Sequence, residues 1–267
     1  MKASEKLERL KEILSESGSA VIALSGGTDS TFLVSVAATL PGLRVMAVTV
    51  STPYMFSSEV EEASRFCSDN GVRHMVIRFE IPATVITNPP DRCYLCKREV
   101  MGRVTAAAAE GGYAFVFDGT NADDLLDYRP GLKALTEAGV RSPLAEAGLE
   151  KEEIRALARA AGLAVSDMPS NTCLLTRFPH YTVIDPADLR RAEEAEMIVR
   201  EAGFTGARVR VHGDLARIEL RNEHFLRITD QDIRTSLSVS LRSLGYRYIT
   251  FDAEGYRSGS MNKTTRS

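Results

Sequence analysis

The stretch Ala20-Val21-Ile22-Ala23-Leu24-Ser25-Gly26-Gly27-Thr28-Asp29-Ser30-Thr31-Phe32-Leu33-Val34 indicates the architecture of the chain most directly. Its order predicts a buried strand, a glycine-rich turn and the N-terminus of a helix. Two adjacent glycines allow the backbone to turn tightly and to approach an anion closely. The serine and threonine hydroxyls and the first helical N–H groups supply hydrogen-bond donors, and the helix dipole favours negative charge. The stretch therefore predicts a phosphate-binding loop.

Composition narrows the class of protein. The chain has 267 residues, enough for one large domain or two ordinary ones. Its formal net charge is −3 and no lysine or arginine block stands out, which gives no support for nucleic-acid binding. The apolar runs are strand-length and the charged N-terminal segment has no apolar leader core, so we expect a cytoplasmic protein without a membrane partner. The four cysteines indicate metal binding or catalysis rather than a disulfide framework.

Strands and helices alternate along the first part of the chain. Apolar periodicity predicts strands at 19–24, 43–50, 74–79 and 113–117, and helices at 3–16, from the glycine-rich loop to about residue 40, at 57–69 and at 94–110. This order predicts an α/β fold with a parallel, doubly wound sheet over residues 1–180. Beyond residue 180 the pattern changes to helices at 186–202 and 230–244 and strands at 207–212, 215–220 and 246–251. We expect a smaller α+β domain over residues 181–267.

Acidic residues follow the fourth predicted strand in Asp118-Gly119-Thr120-Asn121-Ala122-Asp123-Asp124. Because the carboxyl ends of parallel strands share one edge of a sheet, this segment is expected near the glycine-rich loop. Oxygen ligands suit Mg²⁺, so this acidic cluster is a candidate for holding it against phosphates. The alternative is a helix N-cap whose acidic groups complement the dipole.

Three of the four cysteines lie in settings that suit ligation or reactivity. Cys93 and Cys96 form a Cys-x-x-Cys pair at the expected start of a helix, where the dipole lowers thiol pKa values. Cys173 lies in an irregular stretch, with Arg177 nearby to favour a thiolate or an anionic substrate. Two cysteines cannot complete a zinc site or a four-iron cluster, and the alternatives for the pair alone are a redox dithiol or chance spacing. Cys67, on an amphipathic helix, is predicted to pack in the core.

Strict alternation on both sides of Gly213-Asp214 predicts a hairpin with one buried and one polar face. The charged and polar residues of the second face are Arg208, Arg210, His212, Arg217, Glu219 and Arg221. Such a set forms either a solvated sheet surface or a receptor that binds carboxylate and phosphate through bidentate contacts. The polar segment 255–262 is either a frayed tail or a lid that brings Arg257 and two hydroxyls to an anion.

Taken together, these motifs resemble a known enzyme family. The loop differs from the Walker A and Gly-x-Gly-x-x-Gly patterns, and resembles the Ser-Gly-Gly-x-Asp-Ser loop of the PP-loop ATP pyrophosphatases. Over nearly the whole chain, the resemblance is to the LarE family of ATP-dependent sulfur transferases, which make the nickel-pincer nucleotide cofactor. The stretches that carry it are Ser25 to Ser30, Asp91-Arg92-Cys93, Gly119 to Asp124, Cys173-Leu174 with Arg177, Arg208 to Asp214, and Gly255 to Asn262.

The resemblance implies a specific chemistry. A carboxylate of pyridinium-3,5-dicarboxylate mononucleotide is adenylated with release of pyrophosphate, a sulfur nucleophile displaces AMP, and a second round converts the other carboxylate. It also implies ATP and Mg²⁺, bound by Ser25, Gly26, Gly27, Thr28, Asp29, Ser30, Asn121 and Asp123. The expected catalytic residues are Cys173, Asp29 and Arg177.

The sulfur source varies within the family. Some members sacrifice the cysteine that matches Cys173, which ends as dehydroalanine, and these members lack the Cys-x-x-Cys pair. This chain also has Cys93 and Cys96, so the resemblance implies the type in which all three thiolates hold a [4Fe-4S] cluster with one iron open to hydrosulfide.

The hairpin and the C-terminal segment are assigned to the substrate by the same resemblance. Arg208 and Arg210 are expected to bind the substrate phosphate or carboxylate, with Glu219 near the sulfur-transfer centre and Arg257 at an anion. The expected partners are the nucleotide substrate, sulfide or another sulfur donor, and a nickel-inserting enzyme that receives the product, and the protein is expected to form a homo-oligomer.

Two other functions remain open from the sequence. A PP-loop tRNA thiolase also uses three cysteines, but it predicts a basic, aromatic-lined surface, whereas this chain is acidic and has no tryptophan. A non-catalytic iron–sulfur or nucleotide sensor would bind ATP without turnover. Release of pyrophosphate that depends on a carboxylate substrate separates an enzyme from such a sensor.

Overall fold

The structure is a computed structural model that describes residues 2–126, 130–167, 172–257 and 259–261. The chain forms two compact units. The first consists of the segments Met1–Thr52, Ser57–Pro82 and Asp91–Asn171, and the second of Pro53–Phe56, Ala83–Pro90 and Thr172–Ser267. The domains 1–180 and 181–267 stay a prediction, because compactness alone does not show which segments fold independently.

A parallel sheet forms the centre of the first unit. Its strands are β1 (Ser19–Ala23), β2 (Arg44–Ser51), β3 (Arg73–Arg78) and β4 (Phe115–Phe117). The order in space is β3-β2-β1-β4, and every pairing is parallel. The chain therefore winds one way from β1 to β3 and returns to place β4 on the other side of β1. The point where the strand order reverses, beyond the carboxyl ends of β1 and β4, is where such sheets bind ligands.

Helices cover both faces of this sheet. They are α1 (Ala3–Ser17), α2 (Thr28–Ala38), α3 (Ser57–Asp69), α4 (Arg92–Glu110), α5 (Pro130–Glu137), α6 (Pro143–Glu146) and α7 (Lys151–Ala160). Alternate residues of β1 point to opposite faces: Ile22 joins the core beneath α1, α2, α3 and α7, while Val21 joins the core beneath α4 and α5. The predicted doubly wound α/β fold is confirmed, although α5, α6 and α7 were not predicted.

The second unit is a small α+β structure. It contains the helices α8 (Pro186–Glu201) and α9 (Gln231–Ser243), and the strands β5 (Arg208–His212), β6 (Leu215–Glu219) and β7 (Tyr248–Phe251). β5 and β6 form the predicted antiparallel hairpin, and β7 adds to β6 in parallel. Short 3₁₀ turns lie at Leu174–Arg177, Asn222–His224 and Arg227–Thr229. No helix in the described part of the chain is both long and apolar enough to cross a membrane.

The polar face of the hairpin differs from a solvated sheet surface. Arg208, Arg210 and Glu219 are all buried, at 5%, 4% and 0% exposure. The interpretation of these residues as a solvated surface is therefore wrong. Alternation along a strand shows which residues share a face, but it does not show whether another segment covers that face.

Candidate functional site

The glycine-rich loop follows β1 as predicted. The backbone N–H of Leu24 still donates to Val48 of β2, at 2.9 Å, and the chain then turns. Gly26 has a φ of +80°, and a Cβ there would lie 2.7 Å from the backbone oxygen of Glu59. Only glycine satisfies both the left-handed backbone and the close approach of α3.

The turn leads into the N-terminus of α2. Gly27 occupies the N-cap position and has no side chain with which to cap the helix. The Ser25 and Ser30 hydroxyls lie 3.1 Å apart, and the backbone N–H of Ser25 donates to the Ser30 Oγ at 3.2 Å. Thr28 is tied elsewhere, because its hydroxyl donates to the Val165 carbonyl at 2.7 Å. A helix N-terminus preceded by such a turn is suited to bind phosphate.

The segment after β4 packs directly against this loop. A Cβ on Gly119 would lie 2.8 Å from the backbone nitrogen of Ser30, so the two loops are in contact as expected from the sheet edge. Asp118 is buried and accepts hydrogen bonds from the Thr120 hydroxyl and the Ser142 hydroxyl, both at 2.7 Å. Its carboxylate also lies 3.8 Å from the Lys97 ammonium. Asp118 therefore stabilises the loop that follows β4.

An ion pair that the sequence did not reveal involves Asp29 of the glycine-rich loop. The Lys151 ammonium donates to both carboxylate oxygens of Asp29, at 2.8 and 2.7 Å. Asn121 donates from its side-chain amide to the same carboxylate at 3.3 Å, and Asp123 accepts the backbone N–H of Lys151 at 2.8 Å. Lys151 is the first residue of α7, so Asp123 also holds the start of that helix. Nothing in the local sequence distinguishes this lysine from the other charged residues around it.

These contacts modify the interpretation of the acidic segment. Asp123 accepts a hydrogen bond from the N-terminus of a helix, in agreement with the alternative interpretation, but the helix is α7 rather than the one that follows directly. Asn121 and Asp124 close a turn on each other, with both contacts at 3.1 Å. The roles of Asn121, Asp123 and Asp29 in binding ATP or Mg²⁺ stay predictions.

Arg177 is at the centre of a buried network in the second unit. Its side chain is fully buried and makes two parallel contacts with Glu196 of α8, at 2.7 and 2.8 Å. The remaining nitrogen donates to the Thr172 carbonyl at 3.0 Å and to the Thr172 and Thr176 hydroxyls at 2.7 Å each. The guanidinium therefore supports the turn that carries Cys173, and its predicted part in catalysis stays a prediction.

Cys173 directly precedes the 3₁₀ turn Leu174–Arg177 and is partly exposed. Its carbonyl accepts the backbone N–H of Thr176 at 3.1 Å and the Thr176 hydroxyl at 2.9 Å. The thiol therefore lies on a short, internally bonded turn. The residues at 168–171, which precede this turn in the irregular stretch, lie outside the described residues.

The hairpin brings two buried arginines and one buried glutamate together. Arg210 donates twice to a single Glu219 oxygen, at 2.9 and 2.7 Å, and once to the Thr176 carbonyl at 3.0 Å. Arg208 pairs with Glu219 in the strand register and stacks over the Tyr256 ring at 5.5 Å. Burial, and then the positive charge of Arg177, lower the pKa of Arg208. Arg208, Arg210 and Glu219 together carry a net positive charge in a low-dielectric interior, which strengthens their attraction for an anion.

The C-terminal segment docks on the hairpin as far as it is described. The Tyr256 N–H donates to the Leu220 carbonyl at 2.8 Å, and the Ser260 hydroxyl donates to Glu219 at 2.7 Å. A frayed tail is therefore wrong for these residues. Arg257 faces acidic side chains, with Asp252 at 3.8 Å and Glu254 in closer contact, and its predicted anion contact stays a prediction. Residues 258 and 262–267 lie outside the described residues.

The cysteines divide between the two units. Cys93 and Cys96 lie in the first turns of α4, exposed and partly exposed, and Cys173 lies in the second unit. Cys67 is fully buried, as predicted, and burial raises its pKa to about 11. Within the described residues, which include all four cysteines, no disulfide is formed and no group of three or more His, Cys, Asp or Glu residues could hold a metal ion. The cluster ligands therefore stay a prediction.

Comparison with known proteins identifies the family. No protein-family model matches the chain. The pyridinium-3,5-bisthiocarboxylic acid mononucleotide synthase of Lactiplantibacillus plantarum is 36% identical over 249 residues, which cover 91% of this chain and 88% of that protein. An uncharacterized protein of Synechocystis is 38% identical over 260 residues, 97% of each chain. One of the subunits of the glutamine-hydrolyzing GMP synthase of Thermoplasma acidophilum is 28% identical over 193 residues, 63% of this chain and 60% of that one. The chain therefore belongs to the LarE family of enzymes, within the ATP-using PP-loop superfamily.

Proposed function

We propose that this enzyme inserts sulfur into pyridinium-3,5-dicarboxylate mononucleotide in an ATP-dependent reaction, as a step in nickel-pincer cofactor synthesis. The supporting observation is the glycine-rich loop Ser25–Ser30, predicted to bind phosphate, which lies at the reversal point of the sheet in a chain 36% identical to a pyridinium-3,5-bisthiocarboxylic acid mononucleotide synthase. A carboxylate is a poor electrophile. Adenylation with release of pyrophosphate converts it into an acyl phosphate that a sulfur nucleophile can attack.

The first unit would bind and activate ATP. The N–H groups at the start of α2, which no side chain caps, would donate hydrogen bonds to phosphate oxygens. The Lys151 ammonium would offset the charge of the departing pyrophosphate. Mg²⁺ is usually held by one or two carboxylates together with substrate phosphates, so Asp29, which is partly exposed, fits such a role. When bound, Mg²⁺ would supply charge neutralisation across the phosphates. Asp29 would then exchange its contact with Lys151 for one with the metal.

The second unit would bind the substrate anion and supply the thiol. Arg208 and Arg210 provide buried positive charge, and Glu219 holds Arg210 in its orientation through two hydrogen bonds. Cys173 is on a turn whose carbonyls are fixed by Arg177. Adenylated substrate held by the arginines would be attacked by a sulfur nucleophile delivered at this turn.

Delivery of sulfur by a [4Fe-4S] cluster on Cys93, Cys96 and Cys173 is our preferred form of the proposal. The donor set suits the group, because all three are thiols and none is fully buried. When bound, the cluster would supply an iron that carries hydrosulfide. The alternative is that Cys173 gives up its own sulfur and becomes dehydroalanine. The product would pass to a nickel-inserting enzyme, and the protein would act as a homo-oligomer.

One anaerobic reaction tests these proposals. Protein reconstituted with iron and sulfide is incubated with MgATP, sulfide and the dicarboxylated pyridinium mononucleotide, and products and protein are analysed by mass spectrometry. Several turnovers to a sulfur-for-oxygen product with unchanged protein mass would support the cluster form. At most one sulfur per chain, with Cys173 converted to dehydroalanine, would support the sacrificial form. Absence of any thiolated nucleotide from protein that binds ATP would overturn the proposed function and favour a tRNA substrate.

A further inference from the structure

A buried asparagine contacts the turn that carries Cys173. Asn88 is fully buried within the second unit. Its side-chain amide nitrogen donates to the carbonyl oxygens of Leu175, Phe178 and Pro179, at 3.2, 3.1 and 2.9 Å. Three acceptors around one nitrogen fix the orientation of the amide, because the side-chain oxygen would be repelled there. The carbonyls at the C-terminal side of the turn therefore converge on one side chain.

The backbone of Asn88 explains why asparagine occupies this position. Its φ is +49°, in the left-handed region that asparagine adopts more readily than most residues. Its own carbonyl accepts the backbone N–H of Tyr181 at 3.1 Å, and its N–H donates to the Val85 carbonyl at 2.8 Å. Backbone and side chain together fasten the segment around residue 88 to residues 175–181.

Arg177 fastens the other side of the same turn. Its guanidinium lies 3.0 Å from the Thr172 carbonyl and 3.5 Å from the Cys173 carbonyl. The N–H of Leu174 donates to the Tyr54 carbonyl at 2.9 Å. Arg177 therefore contacts the carbonyls of residues 172 and 173, and Asn88 contacts carbonyls that follow the thiol-bearing residue in the sequence.

We propose that Asn88 is a positioning residue for Cys173. Its side-chain amide fixes the turn Cys173–Pro179 by donating to carbonyls of that turn other than the one that Arg177 contacts. The inference rests on the proposed use of Cys173 in sulfur transfer. Positioning matters there because misplacing a reacting atom by about 1 Å can cost about a hundredfold in rate. A thiol on an unfastened turn would sample many positions relative to the adenylated carboxylate.

Two substitutions separate donation from shape. Asn88→Asp keeps the size and tolerates the left-handed backbone, but it places a carboxyl oxygen where the donor nitrogen faces three carbonyls. Asn88→Gly keeps the backbone conformation and removes the donor without adding charge. Asn70→Asp is the matched control, because the exposed Asn70 amide donates to a single carbonyl, that of Phe66, at 2.8 Å.

The first measurement is the rate at which iodoacetamide alkylates each cysteine of the metal-free full chain between pH 7 and 9.5. Peptide mass spectrometry gives the rate for each cysteine separately. We expect Asn88→Asp to raise the Cys173 rate at least about tenfold, corresponding to the loss of two or more hydrogen bonds at the turn. Asn88→Gly should raise it less, and Asn70→Asp should leave it unchanged. The rates at Cys93 and Cys96 should stay within about twofold of the wild type in every variant. A Cys173 rate within twofold of the wild type in both folded Asn88 variants would overturn the inference.

A wild-type measurement keeps the inference testable if both variants fail to fold. Native-state hydrogen exchange should give the amides of Asn88, Phe178 and Tyr181 a common protection, within about threefold, because they open together. Exchange of the Phe178 amide more than about a hundredfold faster than that of the Tyr181 amide would refute the positioning role of Asn88.

Turnover measurements test whether the positioning of Cys173 by Asn88 affects the reaction. If the wild type forms thiolated product, Asn88→Asp should lower kcat at least about tenfold and leave the KM for ATP within about twofold, since only the thiol is displaced. Wild-type kcat in that variant would overturn the inference. If the Asn88 variants raise the alkylation rate of Cys173 but the wild type makes no thiolated product, the positioning role of Asn88 stands and only the proposed function is refuted.

Discussion

Removal of the Glu196 charge is expected to destabilise the second unit strongly, because it leaves a buried guanidinium without its counter-charge. The Arg177 and Glu196 side chains are 0% and 2% exposed, and their two contacts are 2.7 and 2.8 Å long. The same carboxylate accepts the backbone N–H of Val209 at 3.0 Å. It therefore joins three elements: the Cys173 turn, helix α8 and strand β5. Glu196→Gln removes the charge while nearly preserving the shape.

The expected loss follows from what the substitution leaves behind. Arg177 would remain fully buried without its counter-charge, close to Arg208, whose pKa is already lowered by burial and by Arg177. Breaking a buried pair by removing one partner costs about 3–5 kcal/mol. Glutamine keeps one acceptor oxygen, so we expect the lower end, about 3 kcal/mol. For a chain of this size that corresponds to a fall in Tm of about 6–12 °C.

Urea unfolding followed by circular dichroism measures this loss, since urea does not screen charges. Glu12→Gln is the control, because the Arg9–Glu12 pair is 3.0 Å long but half-exposed and should contribute less than about 1 kcal/mol. A double-mutant cycle with Arg177→Met should give a coupling above about 1 kcal/mol. Wild-type stability in Glu196→Gln to within about 1 kcal/mol, or additive effects in the cycle, would refute the reasoning.

Lys151→Met is expected to weaken MgATP binding at least about tenfold in calorimetric titrations, and AMP binding less, because it removes the cation 2.7 Å from Asp29. Cys67, whose pKa burial raises to about 11, is expected to react with iodoacetamide at pH 8 at least about tenfold more slowly than Cys93. The thiolate is the nucleophile, and the raised pKa leaves only about one Cys67 in a thousand ionised at that pH; peptide mass spectrometry measures both rates. Gly119→Ala should lower MgATP affinity at least about tenfold in the same titrations, because the new methyl would lie 2.8 Å from a backbone nitrogen of α2.

Matched controls accompany these three predictions. Lys11→Met removes a surface lysine paired with Glu8 at 2.7 Å and should leave nucleotide binding unchanged. Gly102→Ala, in α4, meets no atom within 4 Å and should preserve binding while stabilising the helix by up to about 1 kcal/mol. Wild-type nucleotide affinity in Lys151→Met or Gly119→Ala would contradict the corresponding prediction. Alkylation of Cys67 at the same rate as Cys93 would contradict the prediction for the thiols.

Local patterns were sufficient for much of the fold. The apolar run, the two glycines and the segment after them predicted a strand, a tight turn and a helix, which the structure has, because these preferences act within a few residues. The carboxyl-edge argument also predicted that the Asp118–Asp124 segment would meet this loop, and Gly119 contacts Ser30 there. The amphipathic pattern placed Cys67 in the core, where it lies.

The α/β order, the strand–turn–helix conformation of the glycine-rich loop and the family could all be predicted from the sequence, since each depends on neighbouring residues or on motifs that can be read directly. The partners of the charged residues could not, because they depend on tertiary packing. Lys151 meets Asp29 across 122 positions of sequence, and Glu196 meets Arg177 inside the second unit. Arg208, Arg210 and Glu219 are buried because other segments cover the hairpin. Periodicity identifies the face on which a side chain lies, but its electrostatic environment depends on which distant segment packs against that face.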